Sequence, residues 1–328
     1  MKHLLILAVV ALLLDAGGDA QAAMAQRLRG NPIIRPEMLP GTDGGNINGP
    51  SLIRAPAWLT NRLGNYYLYF AHHNGKYIRL AYADSLEGPW RIYQPGTLHL
   101  KDAPGCTGHI ASPDMHVDDQ RQKIRMYFHG PAKRGGGQKS FVAMSDDGVR
   151  FTASDEVLGP FYFRVFHWQD VWFAMAKGGS LHRSVDGISK FVAGPNPFPE
   201  TASRDEAANT PGPRHVALHR VGNELRVYYS NIGDAPERIL LRRLQMTGDW
   251  QTWKASPPEE VLQPETDYEG VALPMKKSVA GAMRGREHAL RDPGIFVDSD
   301  NRVYLLYSIA GESGIGIAEL PGKPQGNS

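Results

Sequence analysis

Cysteine is almost absent. Cys106 stands alone in 328 residues, so no internal disulfide can hold this chain. A single small thiol with no nucleophile pattern around it reads as a packing residue. Neither sign of charge is in surplus, since 36 Lys and Arg face 34 Asp and Glu for a net charge of +2. That balance gives no reason to expect a nucleic-acid partner. After the first 22 residues there is no long apolar run, so no later segment reads as membrane-spanning. No HxxxH or HExxH spacing marks a catalytic metal, and neither a metal nor another cofactor is expected. The glycines at 135–137 lack the strand-to-helix setting of a phosphate loop and read as a flexible connection.

Residues 1–22 follow another pattern. Lys2 and His3 precede an apolar run over 4–14, and a small-residue stretch ends in Ala20-Gln21-Ala22. This is the layout of a secretory signal, with an apolar run too short to cross a bilayer comfortably. The expected mature protein is periplasmic or secreted, free of the membrane after cleavage, and monomeric. Residues 23–29 are expected to be a flexible N-terminus and 322–328 a disordered tail.

What the chain does have is punctuation, with 36 Gly and 24 Pro. Residues 290–320 show the plan: an apolar run, the turn cluster Asp298-Ser299-Asp300-Asn301-Arg302, a second β-rich run, then Ala310-Gly311-Glu312-Ser313-Gly314 and a third. β-branched and aromatic runs broken by Asp, Asn, Ser and Gly are what antiparallel strands and tight turns require. The plan recurs upstream, each unit opening on a proline: Pro50, Pro113, Pro160, Pro213 and Pro293. Second strands are expected at 66–70, 124–128, 171–176, 225–230 and 303–308. Third strands follow at 77–83, 140–145, 180–184, 238–244 and 315–320. Fourth strands are expected at 90–93, 151–153, 190–192 and 252–254.

Five units of up to four strands predict an all-β fold, a single five-bladed β-propeller over residues 30–321. A β-sandwich gives no reason for five similar units. The last unit lacks a fourth strand, and residues 32–35 are expected to fill that edge and close the ring. Antiparallel strands place the start of each inner strand, the end of each second strand and the long loops at 97–112, 194–212 and 262–291 on one face. Long loops on a rigid scaffold are where sites are built.

Three motifs carry a resemblance. Arg291-Asp292-Pro293, Ala111-Ser112-Pro113-Asp114 and Tyr268-Glu269-Gly270 resemble the carboxylate-bearing motifs of glycoside hydrolase family 43 and its propeller relatives in families 32, 62, 68 and 117. The chain departs from that pattern at Asn48-Gly49-Pro50, where the family usually has Asp-Pro, and at 159–164, which has no glutamate. The resemblance implies an exported glycosidase acting on a polysaccharide or oligosaccharide. It implies Asp292 as base, Glu269 as acid and Asp114 as the residue that tunes the acid; Asp205 and Glu206 are reserve acids. Such hydrolysis needs one protonated and one ionised group.

The same face gathers His72, His73, His109, His129, Arg214, His215 and Arg291, side chains suited to sugar hydroxyls, a uronate or a sulfate. A sugar-binding propeller without turnover is the alternative, and so is a lyase that abstracts a proton with His and Arg.

Overall fold

The computed structural model describes residues 25–198 and 212–322. The expected signal at 1–22, the end of the expected tail, and Asp205 and Glu206 lie outside the described residues. Five antiparallel sheets follow one another along the chain, one for each expected blade.

Blade one is built from Asn48–Arg54, Tyr66–Ala71, Arg79–Ala83 and Arg91–Ile92. Its second strand, Tyr-Tyr-Leu-Tyr-Phe-Ala, is buried at every position because neighbouring blades cover both faces of the sheet. The inner strands of the other blades are Ala111–Asp118, Arg164–Trp168, Gly212–Val221 and Arg291–Val297. The apolar core divides into five clusters that lie between successive blades, such as the group joining Phe296, Tyr304 and Leu306 to Leu52, Tyr66 and Leu68.

The ring closes as expected, but with an earlier segment as well. Gln26–Arg27 pairs with Ala318 and Glu319, and Ile34 bridges Ile315. The stretch expected to be a flexible N-terminus therefore supplies the outer strand of blade five. The open edge of the third strand offers donors and acceptors along its length, and both segments use them.

Two other expectations are corrected. Blade three opens at Arg164 rather than Pro160; Gly159–Pro160 instead pairs with the outer edge of blade two. The outer strand of blade four is Glu259–Leu262, not 252–254. Asp249 accepts a hydrogen bond from Gln251 N and starts a short 3₁₀ turn over Trp250–Thr252, which delays the strand.

Blades five and one meet at close quarters. A Cβ on Gly294 would lie 2.4 Å from the carbonyl oxygen of Pro50. Gly294→Ala is therefore expected to destabilise the ring by about 1–3 kcal/mol through overpacking. A urea midpoint equal to that of the parent protein would refute this reading of the junction.

Candidate active site

In four blades the inner strand opens on X-Pro and slips register just beyond it: between Asn48 and Ser51, Ala111 and Asp114, Pro213 and Val216, and Arg291 and Gly294. In three of them the residue before proline sits in the left-handed region, Gly49 at φ +60, Ser112 at +52 and Asp292 at +47. Asp tolerates that region better than most side chains, yet such a conformation still costs on the order of 1–3 kcal/mol. Asp292 thus occupies a strained rim position where blade one needs only glycine.

Its carboxylate is 1% exposed. Oδ1 accepts from Nδ1 of His215, and Ser308 Oγ donates to Oδ2 at 3.5 Å. The His215 ring lies flat on Tyr162, with centroids 3.5 Å apart and planes 3° from parallel. Nδ1 is committed to Asp292, which leaves Nε2 as the second nitrogen of a clamped imidazole.

A second histidine–carboxylate pair lies close by. His73 Nδ1 is 3.6 Å from Glu312 Oε2, and the His73 backbone N–H donates to Asn46 Oδ1 at 2.8 Å. Asn46 and Asn48 both donate to Glu312, the latter at 3.2 Å. Asn48, His73, Ser112, His129, Arg214 and His215 line one enclosed cavity of about 80 Å³, with Gln138, Phe161, Lys177 and Gly281 completing most of its wall. Two buried polar atoms of that wall, Asn48 Oδ1 and His129 Nδ1, have no hydrogen-bond partner among the described residues.

Burial, then Lys177 and Arg214, hold the His215 imidazole well below its ordinary pKa, so it is neutral. Burial acts on His129 in the same way, reinforced by His215 and His109. Asp292 is pushed up by burial, against the pull of Arg214 and Arg291. Burial also raises Glu312, but hydrogen bonds from His73 and Asn46 outweigh it and the net shift is downward. The two acids are driven in opposite directions, the pattern expected of carboxylates with different protonic roles.

The structure separates the expected site residues. Asp292, His73, His129, His215 and Arg214 come together at the cavity or directly behind it. His109 stands one layer back, 6.5 Å from the His129 ring and bonded to Gln138 at 3.1 Å. His72 accepts from Asn74 N within its own turn and is absent from the cavity wall. Asp114 accepts from His116 and from Val165 N, tying blade two to blade three, and these contacts hold its pKa below the usual range despite burial.

Arg214 and Arg291 were expected to bind substrate, but both are spent on Glu237, at 2.7 Å each. Arg291 also meets Glu287 at 2.7 Å, so their charges are used in holding the rim together.

Glu269 is the clearest correction. It is fully buried and accepts from Arg27 Nε and Nη2, Tyr307 Oη and the backbone N–H groups of Glu265 and Thr266. None of these partners touches Asp292, and the bond from Thr266 N–H to Glu269 is the reciprocal half of a capping box. A carboxylate saturated in this way is a structural lock and not the acid of this cavity. Sequence reasoning does not single out Glu312, which sits in a turn, or Tyr162, whose aromatic ring carries no signal of its own. Glu312 was within reach of the strand-direction argument, since the end of blade five's second strand shares the rim of His73.

The opposite mouth carries Asp119, Asp298 and Ser299 around a separate groove, as the strand directions require.

Buried neutral imidazoles make a pH prediction. His129 and His215 lie well below their ordinary pKa of 6.5, and burial lowers His182 to about 4. Below about 6.5 the unfolded chain binds protons that the folded chain does not, so stability falls as pH drops toward 4. Asp292 acts in the opposite sense, its raised pKa adding stability as pH falls toward the carboxylate range, but it is outnumbered. Each such histidine contributes up to about 1.4 kcal/mol per pH unit. Urea unfolding should show a loss of several kcal/mol between pH 7 and pH 5; equal stability at both would contradict the assignment.

The fold is a five-bladed propeller of the type found in family 43 glycoside hydrolases. A thermostable family-43 glycoside hydrolase superposes with a TM-score of 0.56 at 14% identity, over 86% of this chain and 96% of that one. The GH43_1 enzyme from Xanthomonas citri complexed with xylotriose gives a TM-score of 0.56 at 15% identity, over 86% and 89%. At such identities the likeness establishes the fold.

No family model matches this chain. It belongs to the same family as "Uncharacterized protein R118" of Acanthamoeba polyphaga mimivirus, with 38% identity over 299 residues, or 84% of each protein.

Proposed function

We propose that this protein is an exported glycoside hydrolase that cleaves a polysaccharide or its oligomers at the His-lined mouth of the propeller. The observation that carries this reading is the meeting of two histidine–carboxylate pairs, Asp292–His215 and Glu312–His73, at one cavity. Hydrolysis of a glycosidic bond needs one group to take a proton from water and another to give one to the leaving oxygen.

His215 is neutral, clamped by Asp292 and Tyr162, and has Nε2 available to take the proton. His73, backed by the Glu312 carboxylate, is the donor to the leaving oxygen. Asp292, which the motif resemblance implies as the base itself, is in this reading the carboxylate on which the base depends. It acts through His215 instead of directly on water. Asn48, with a free acceptor in the wall, is placed to receive a sugar hydroxyl.

The neighbouring structures crystallised with xylotriose and xylose support a carbohydrate ligand. Residues 1–22 support export; sequencing the N-terminus of protein recovered outside the cytoplasm would show whether the signal is removed.

The test is release of reducing ends from a panel of polysaccharides. Turnover abolished by His215→Asn with the melting temperature retained supports the reading. A product with a new ultraviolet-absorbing double bond would instead make it a lyase, and tight binding without any turnover would make it a sugar-binding propeller.

A further inference from the structure

Inside the cavity, charge is nearly cancelled. Arg214 is paired with Glu237, and the buried acids Asp292 and Glu312 offset the Lys177 ammonium of the wall. The rim differs. Two loops that send a residue into the cavity wall, one ending at Gln138 and the other carrying Gly281, are both basic.

Lys133 and Arg134 are exposed on the first loop, and Lys276, Lys277 and Arg284 on the second. None of these five has a carboxylate partner among the described residues. On the opposite face Arg121, Lys123 and Arg302 are each met by an aspartate, while the exposed Arg62 and Arg220 have no carboxylate partner among the described residues. The five on these two loops flank the cavity, and no ion pair among the described residues uses them to hold the fold. They raise the local concentration of polyanions at that mouth. Gly135-Gly136-Gly137, all at positive φ with open space around them, give the first loop freedom to adjust to a bound chain.

We propose that the glycan taken at this mouth is a polyanion, bearing uronate carboxylates or sulfate esters, and that it runs across both basic loops. That the ligand is a carbohydrate rests on the glycoside hydrolase reading; that it is anionic rests on the loops. The near-neutral cavity receives the ring whose bond is cleaved. The charged groups of flanking units meet Lys133, Arg134, Lys276, Lys277 and Arg284. Polymers and longer oligomers should accordingly bind better than monomers, since several weak contacts act together.

Binding is measured with the full mature protein against polygalacturonate, a sulfated galactan, neutral xylan and duplex DNA, each at low and high salt. The variants are Lys133→Glu/Arg134→Glu combined with Lys276→Glu/Lys277→Glu, and Lys254→Glu on the opposite face as control.

One anionic glycan should bind about tenfold more tightly at low salt than at high salt. The four-site variant should lose about tenfold or more, and the control should stay within about twofold. Which glycan binds separates carboxylate from sulfate recognition. The proposal fails if neither anionic glycan shows salt-dependent binding, if xylan binds as tightly as either, or if the four-site variant binds like the parent. It also fails if DNA binds as tightly through the same loops. Because binding is read without turnover, a protein that binds the polyanion but cleaves nothing keeps this inference and loses the hydrolase reading.

Discussion

Asp292→Asn should reduce hydrolysis by about 10²–10⁴-fold, the range general acid–base catalysis contributes, while leaving the fold intact. Asn has nearly the same shape and tolerates the left-handed backbone that Asp292 adopts at φ +47. It cannot carry the negative charge that holds the His215 Nδ1 proton, so the ring is free to take the other tautomer. With Nε2 protonated, His215 can no longer accept a proton from water. Rates should be taken on whichever polysaccharide is cleaved, with thermal unfolding measured on the same sample. Near-parental activity would show that Asp292 only shapes the rim. Asp292→Ala is the less informative variant, because it adds backbone strain at a position already in a sparsely populated region.

Glu269→Ala should behave in the opposite way. Removing one partner of a buried ion pair costs about 3–5 kcal/mol, because the partner charge stays buried without its match. Here Tyr307 and two backbone N–H groups would lose their acceptor, and Arg27 would keep only Glu265 and the Gln263 carbonyl. A fall in melting temperature on the order of 10 °C is expected, with kcat on intact protein at low temperature near the parental value. The motif resemblance makes the reverse prediction, a lost rate at an unchanged melting temperature. The two readings of Glu269 thus separate in a single pair of measurements.

The fold was legible because its signals are local. Proline before an apolar run, and Asp-Gly or Asn-Arg turns after it, mark strands whichever blade they belong to. Where those signals lapsed, the reading slipped. Blade three opens on Tyr162-Phe163-Arg164 with no proline, and the proline just upstream, Pro160, belongs to the edge of blade two.

The site was legible in part for the same reason. Strand direction alone placed His73, His129, His215 and Asp292 on one mouth. What it could not supply were pairings set by the closed ring: His215 against Tyr162 of the preceding blade, or Asn48 of blade one against Glu312 of blade five. Glu269 is the reverse case. Thr266-x-x-Glu269 is a local capping signal that was available in the sequence, whereas its partner Arg27 lies 242 residues away.

That same closure has a consequence for how the molecule is assembled. The outer strand of blade five is the first part of the described chain to be synthesised and pairs with the last strand to be synthesised. Until Ile315–Leu320 exists, Gln26–Arg27 has no strand to pair with. Until the two meet, blade five offers a bare strand edge to any passing chain. Joining segments this distant requires most of the ordering entropy to be lost before the contact forms, so the final step should be slow. Refolding yield should therefore depend on protein concentration far more than native stability does, with the unclosed ring as the species that aggregates.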